Sequence, residues 1–163
     1  MAITPTDAVL LAVLLLSALV GVWRGLTYEV ISVAGWVAAF VAAQVWGAEV
    51  GAWLPLDGWA AGVRLVAGMA LVFVGVVFAG ALLAWLVQKL VASVGLRPVD
   101  RVLGGAFGVL RGLVLLLAGA LLVGVMQWHT RPWWQESTGG VMLTATLHEL
   151  RPLLPESVAR HVP

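Results

Sequence analysis

Leu65–Val87 (LVAGMALVFVGVVFAGALLAWLV) runs for 23 consecutive positions without a charged or polar side chain. At 1.5 Å of rise per residue, a helix of that length exceeds the ~30 Å hydrocarbon thickness of a bilayer, so the stretch reads as a tilted transmembrane helix. Gln88-Lys89 closes it at an interface. The composition around it agrees. Of 163 residues 62% are hydrophobic and 10% charged, and the mean hydropathy is +1.04, where a soluble domain carries about 25% charge. That leaves room for four spans, short loops and a tail.

Working towards the C-terminus, Ser93, Gly95, Arg97 and Pro98 break the pattern, and Pro98 disfavours helix at the residue before it. A new helix is expected near Asp100. The apolar run 102–126 is interrupted by Arg111 alone. A charge near the midplane is costly, which favours a short interfacial helix bending near Gly108 over one long tilted helix. Towards the N-terminus, the segment from Gly47 to Gly62 is rich in glycine and reads as loop with tryptophan anchors. Two further spans precede it, 27–46 and 8–23, separated only by the turn around Arg24-Gly25. The predicted fold is an all-α integral membrane domain, residues 1–128, with spans at 8–23, 27–46, 65–87 and 102–126 arranged as two helical hairpins. Residues 129–163 form a C-terminal amphipathic tail.

Charge bounds the function. Nine Lys plus Arg against eight Asp plus Glu give +1, too little to neutralise a nucleic-acid backbone. The absence of cysteine removes disulfides, thiolate zinc sites, iron–sulfur clusters and Cys nucleophiles. Residues 1–6 lack the basic n-region of a secretory signal and a second span follows closely, so the first span is expected to be retained. Arg24, Lys89, Arg97 and Arg101 fall on one side of the membrane, Arg64 and Arg131 on the other; the positive-inside rule puts both termini outside the cytoplasm. Trp46, Trp53, Trp59, Trp128, Trp133 and Trp134 then lie at the outer interface. In the tail, Leu143, Leu147, Leu150 and Leu154 form a helical stripe ended by Pro152 and Pro155. It suits either a helix lying on the outer leaflet or one packed on the membrane domain. His129, His148 and His161 have no metal-ligand spacing, and no cofactor is expected.

The scarce charges are the candidate functional residues. Gly21–Leu26 and Gly108–Leu113 share five of six residues, each string carrying one arginine, Arg24 or Arg111. Glu29 and Asp100 are the acidic residues within reach of that side, so Arg24, Glu29, Asp100, Arg101 and Arg111 are proposed as one charge network tying the hairpins together. Glu29 could carry a proton, but a carboxylate in a helix's first turn is favoured by the dipole without further role. Gly104, Gly108 and Gly112 recur every fourth residue, and Gly21 and Gly25 repeat the spacing; this is a helix-contact face, within the chain or between subunits. No G-x-S-x-G, HExxH or phosphate loop is present, and no enzyme is expected.

Asp100-Arg101-x-x-Gly104-x-x-Phe107-Gly108-x-x-Arg111-Gly112 resembles the D-R-x-x-G-x-x-F-G-x-x-R-G signature of the colicin V production protein (CvpA) family. Arg24-Gly25 followed by Glu29 resembles its first-hairpin R-G-x-x-x-E element, and the resemblance covers residues 7–126. It implies a four-helix bacterial inner-membrane protein associated with colicin V production and export and with envelope homeostasis. Similar domains occur fused to a periplasmic serine protease, which implies an outside C-terminus. The expected partners are the lipid bilayer, a second copy of the chain, and other inner-membrane or export proteins. The alternatives are a small oligomeric channel or transporter and a passive membrane anchor for a partner.

Overall fold

A computed structural model describes residues 4–55 and 58–153, and among these there is helix and no strand. Four helices are long and apolar enough to cross a membrane: α1 Pro5–Arg24, α2 Leu26–Trp53, α3 Ala61–Ser93 and α4 Arg97–Val125. The chain is a multi-pass membrane protein. After a 3₁₀ turn at Trp128–Thr130 come two shorter helices, α5 Pro132–Gln135 and α6 Thr138–Leu150. Leu154, Pro155 and His161 lie outside the described residues.

Local chemistry explains where the helices stop. Thr4 and Asp7 form a capping box at the start of α1: Asp7 N–H donates to Thr4 Oγ1 at 3.2 Å while Thr4 N–H donates back to Asp7 Oδ2 at 3.2 Å. Gly25 alone separates α1 from α2, at φ 82°, a left-handed conformation open chiefly to glycine. At the end of α3, Gly95 N–H reaches Ala92 O and Leu96 N–H reaches Val91 O, both at 3.2 Å, with Gly95 at φ 79°. This double closure satisfies carbonyls that the helix end leaves open.

Three boundary expectations need correction. Helix α2 does not end at Trp46; it continues to Trp53, because Gly47 and Gly51 are packing positions and not loop glycines. Helix α4 begins at Arg97, ahead of Asp100, since a proline in a helix's first turn forfeits no intrahelical hydrogen bond. The bend near Gly108 is absent. Helix α4 runs unbroken for 29 residues, with Arg111 at its centre.

The chain forms two compact units, 4–23 with 105–153 and 24–104, the division falling inside α4. The first holds α1 with most of α4, and the second holds α2 with α3. In the first unit, glycines on α4 admit α1 closely: a Cβ at Gly108 would overlap the Ser17 carbonyl oxygen and lie 3.0 Å from Ala18 Cα. One at Gly112 would lie 3.0 Å from Leu14 Cδ1. Over this pair sits the tail, where Trp134 and Leu147 bury themselves with Ala120, flanked by Leu117, Leu121, Val123 and Leu143. Leu143 and Leu147 of α6 therefore face protein. In the second unit, α2 and α3 meet through glycines, Gly47 and Gly51 against Gly68 and Gly35 against Gly80. Trp36 adds an edge-on contact to Phe73, with centroids 5.6 Å apart.

Candidate functional site

Helix α2 begins with an unusual problem. Its N-cap, Gly25, has no side chain to satisfy the first amides. Asp100 supplies the missing acceptor from 73 residues away: its Oδ1 accepts from Thr27 N–H at 2.8 Å and from Thr27 Oγ1 at 2.7 Å. The negative charge also lies at the positive end of the α2 dipole. Gly25 is the other half of the fit, because a Cβ there would overlap Asp100 Oδ2. Asp100 is 8% exposed, so its hydrogen bonds form where water competes little. The structure thus brings together Gly25 and Asp100, one residue from each signature element.

Other charged residues lie around this end of the second unit. Arg24 is exposed and lies over the Tyr28 ring, 5.3 Å from its centroid, and its carbonyl accepts from Gln88 Nε2. Lys89 lies 4.0 Å from the Trp85 ring centroid, an arrangement in which the aliphatic stem covers apolar surface and the ammonium meets a π face. Arg101 is half-buried, Glu29 is buried in the first turn of α2, and Gly104 is buried on α4. The hydrogen bonds to Asp100 come from Thr27 and not from Arg24 or Arg101.

In the first unit the centre is Ser17, which the sequence analysis did not single out. Its hydroxyl donates to Gly108 O at 2.7 Å and accepts from Arg111 Nε at 3.1 Å. Arg111 Nη2 also donates to Ser17 O at 3.0 Å. One small polar side chain therefore ties α1 to α4 twice and gives the Arg111 guanidinium acceptors inside the apolar layer. An arginine at a helix centre costs about 2.5–3.5 kcal/mol on insertion scales, and a hydrogen bond to a charged group returns about 1.5–3 kcal/mol. That balance is why the helix need not bend to carry Arg111 to the headgroups. The missed signal was available: Ser17 is the one polar side chain between Asp7 and Trp23. Gly108 and Gly112 are the positions that let α1 come close enough, and Gly21 is buried on the facing helix.

A third polar cluster joins the tail to α1. Asp7 Oδ1 accepts from Ser137 Oγ at 2.7 Å and Gly139 N–H at 2.8 Å, while Oδ2 accepts from Thr4 Oγ1 at 2.8 Å. Ser137 in turn caps α6 by accepting from Gly140 N–H at 2.9 Å. Thr6 Oγ1 donates to Trp133 O at 2.8 Å. The start of α1 and the start of α6 are thereby held as one piece.

These clusters fall within the region that known proteins share. The family described as colicin V production protein matches residues 6–147. The chain belongs to that family. The match takes in both signature elements and extends past Trp128, through Ser137 to Leu147, so it includes most of the tail helix. A colicin V production protein homolog of Haemophilus influenzae is 30% identical over 132 residues, 80% of each chain. The colicin V production protein of Escherichia coli is 33% identical over 117 residues, 69% of this chain and 68% of that one. No solved structure matches the chain.

Proposed function

We propose that this chain is a bacterial inner-membrane protein that supports colicin V production or export and envelope homeostasis by associating with other membrane proteins, without catalysing a reaction. The observation that carries this reading is the use made of the signature's polar residues. Asp100 caps α2 through Thr27, and Arg111 holds Ser17 and the α1 backbone. Groups occupied in bracing helices suit a scaffold. The four spans are threaded as two hairpins whose short turns, with Arg24, Lys89, Arg97 and Arg101, face the cytoplasm, and both termini lie outside. Association with a second copy or another membrane protein would use the outer faces of the helices, because Gly108 and Gly112 already receive α1 of the same chain.

The test is complementation. In an Escherichia coli strain lacking its own colicin V production protein and carrying the colicin V genes, expression of this chain is expected to restore both secreted colicin activity and resistance to detergent. Asp100→Ala, checked for equal membrane abundance, is expected to restore less. A wild-type chain present at normal level that restores neither phenotype ends the proposal.

A further inference from the structure

A groove of about 380 Å³ runs along the first unit between α1, α4 and α6. Leu10, Leu11 and Leu14 form one wall, Leu113 and Leu117 the second, and Met142 the third, with Asp7 and Gly139 at one end and Thr146 beside Met142. We propose that this groove is a binding site for one acyl chain of a bilayer phospholipid, entering from the Asp7 end.

Three observations identify the occupant. The first is that the polar groups of the lining are already engaged. Asp7 accepts from Ser137, Gly139 and Thr4, which fills the roughly four acceptor positions a carboxylate has. Thr146 Oγ1 donates to Met142 O at 2.9 Å. Apart from the acceptor side of the exposed Thr146 hydroxyl, the lining side chains have no polar group left to pair an extended peptide, whose backbone cannot go unsatisfied in a dry apolar site. The second is size. From Asp7 to Leu14 the groove follows α1 for about 10 Å at 1.5 Å per residue. A groove of that length takes a segment of an extended hydrocarbon chain, and a helix from a second copy is the occupant the experiment below sets against it. The third is continuity with the lipid-facing surface. Leu11 is 50% exposed and Leu113 42% exposed on helices that cross the membrane, so the open side of the groove meets acyl chains. The chain would lie with its headgroup beside Asp7, at the outer end of α1, and its methyl end towards Leu14. A negative Asp7 favours a headgroup without net negative charge.

The experiment uses the full chain in vesicles of phosphatidylethanolamine and phosphatidylglycerol, with a trace of phosphatidylethanolamine carrying a photoreactive group on one acyl chain. After illumination the labelled residues are mapped, and the lipid kept by the purified protein is weighed by native mass spectrometry. Label concentrated on Leu10, Leu14, Leu113 and Met142, above that on the exposed Phe78 of α3, together with one retained phospholipid per chain, is the expected result. Leu11→Trp and, independently, Met142→Trp are expected to lose most of that label and the retained lipid, while Phe78→Trp keeps both. Label no denser in the groove than at Phe78, or a groove unlabelled in a chain that weighs as a dimer, overturns the proposal.

Discussion

The α1–α4 seam and the α2–α3 seam solve the same problem by different means. In lipid, apolar burial supplies no net drive to bring helices together, so close packing and hydrogen bonding must do it. The α2–α3 seam relies on packing: Gly68 lies against the backbone of Gly47 and Gly51, Gly35 meets Gly80, and Trp36 meets Phe73. The α1–α4 seam uses glycines too, but adds the Ser17–Gly108 and Ser17–Arg111 hydrogen bonds. The difference locates the family's signature charges. Asp100 lies where a helix end needs a distant partner, and Arg111 where a cation inside the apolar layer does.

Breaking the packing seam should have the largest effect. A side chain at Gly68 would meet three backbone atoms of α2, which cannot rotate away, so Gly68→Leu is expected to abolish a monodisperse folded protein on size exclusion. Gly108→Leu, facing the Ser17 carbonyl, should do nearly the same. Loss of fold by this variant, rather than a clean change of oligomeric state, is what separates an intramolecular glycine face from a subunit interface.

Next comes the polar half of the comparison. Ser17→Ala is expected to lower stability by about 1–3 kcal/mol, the range for leaving a buried donor without its partner, read as a lower midpoint in detergent melting. Combined with Arg111→Leu, the two effects should be non-additive, because the residues share hydrogen bonds. Additive losses would detach Arg111 from Ser17.

Asp100→Ala should cost about 0.5–2 kcal/mol, the range for losing a helix cap. Asp100→Asn should recover most of it, since an amide oxygen still accepts from Thr27. If Asn is as damaging as Ala, the charge matters more than the cap, as a network of Arg24, Glu29, Asp100, Arg101 and Arg111 would require. The smallest effect is expected at Gly75, where an added Cβ meets nothing within 4 Å. Gly75→Ala should shift stability by no more than about 0.5 kcal/mol, and a large loss there would show that α3 has a partner on that face.

Hydropathy and glycine spacing were enough to place four spans, to put a turn at Gly25, and to single out Asp100, Arg111, Gly108 and Gly112. Those features are local: a run of apolar side chains has its transfer energy whatever it packs against, and a glycine between two apolar runs ends a helix by its own conformational freedom. The rest depends on which segments meet. Trp46 looked like the end of α2 because glycines after it read as loop, until Gly68 of α3 turned Gly47 and Gly51 into contact positions. The bend at Gly108 was favoured because a charge near the midplane is costly, and Ser17 gives Arg111 an acceptor across 94 residues. Leu143 and Leu147 suited lipid or protein equally, until Asp7 reached Ser137 across 130 residues and Leu147 packed with Ala120. Transfer energies add along the chain and can be read from it; a hydrogen bond or a close backbone approach belongs to a pair of segments, and only the tertiary structure decides the pair.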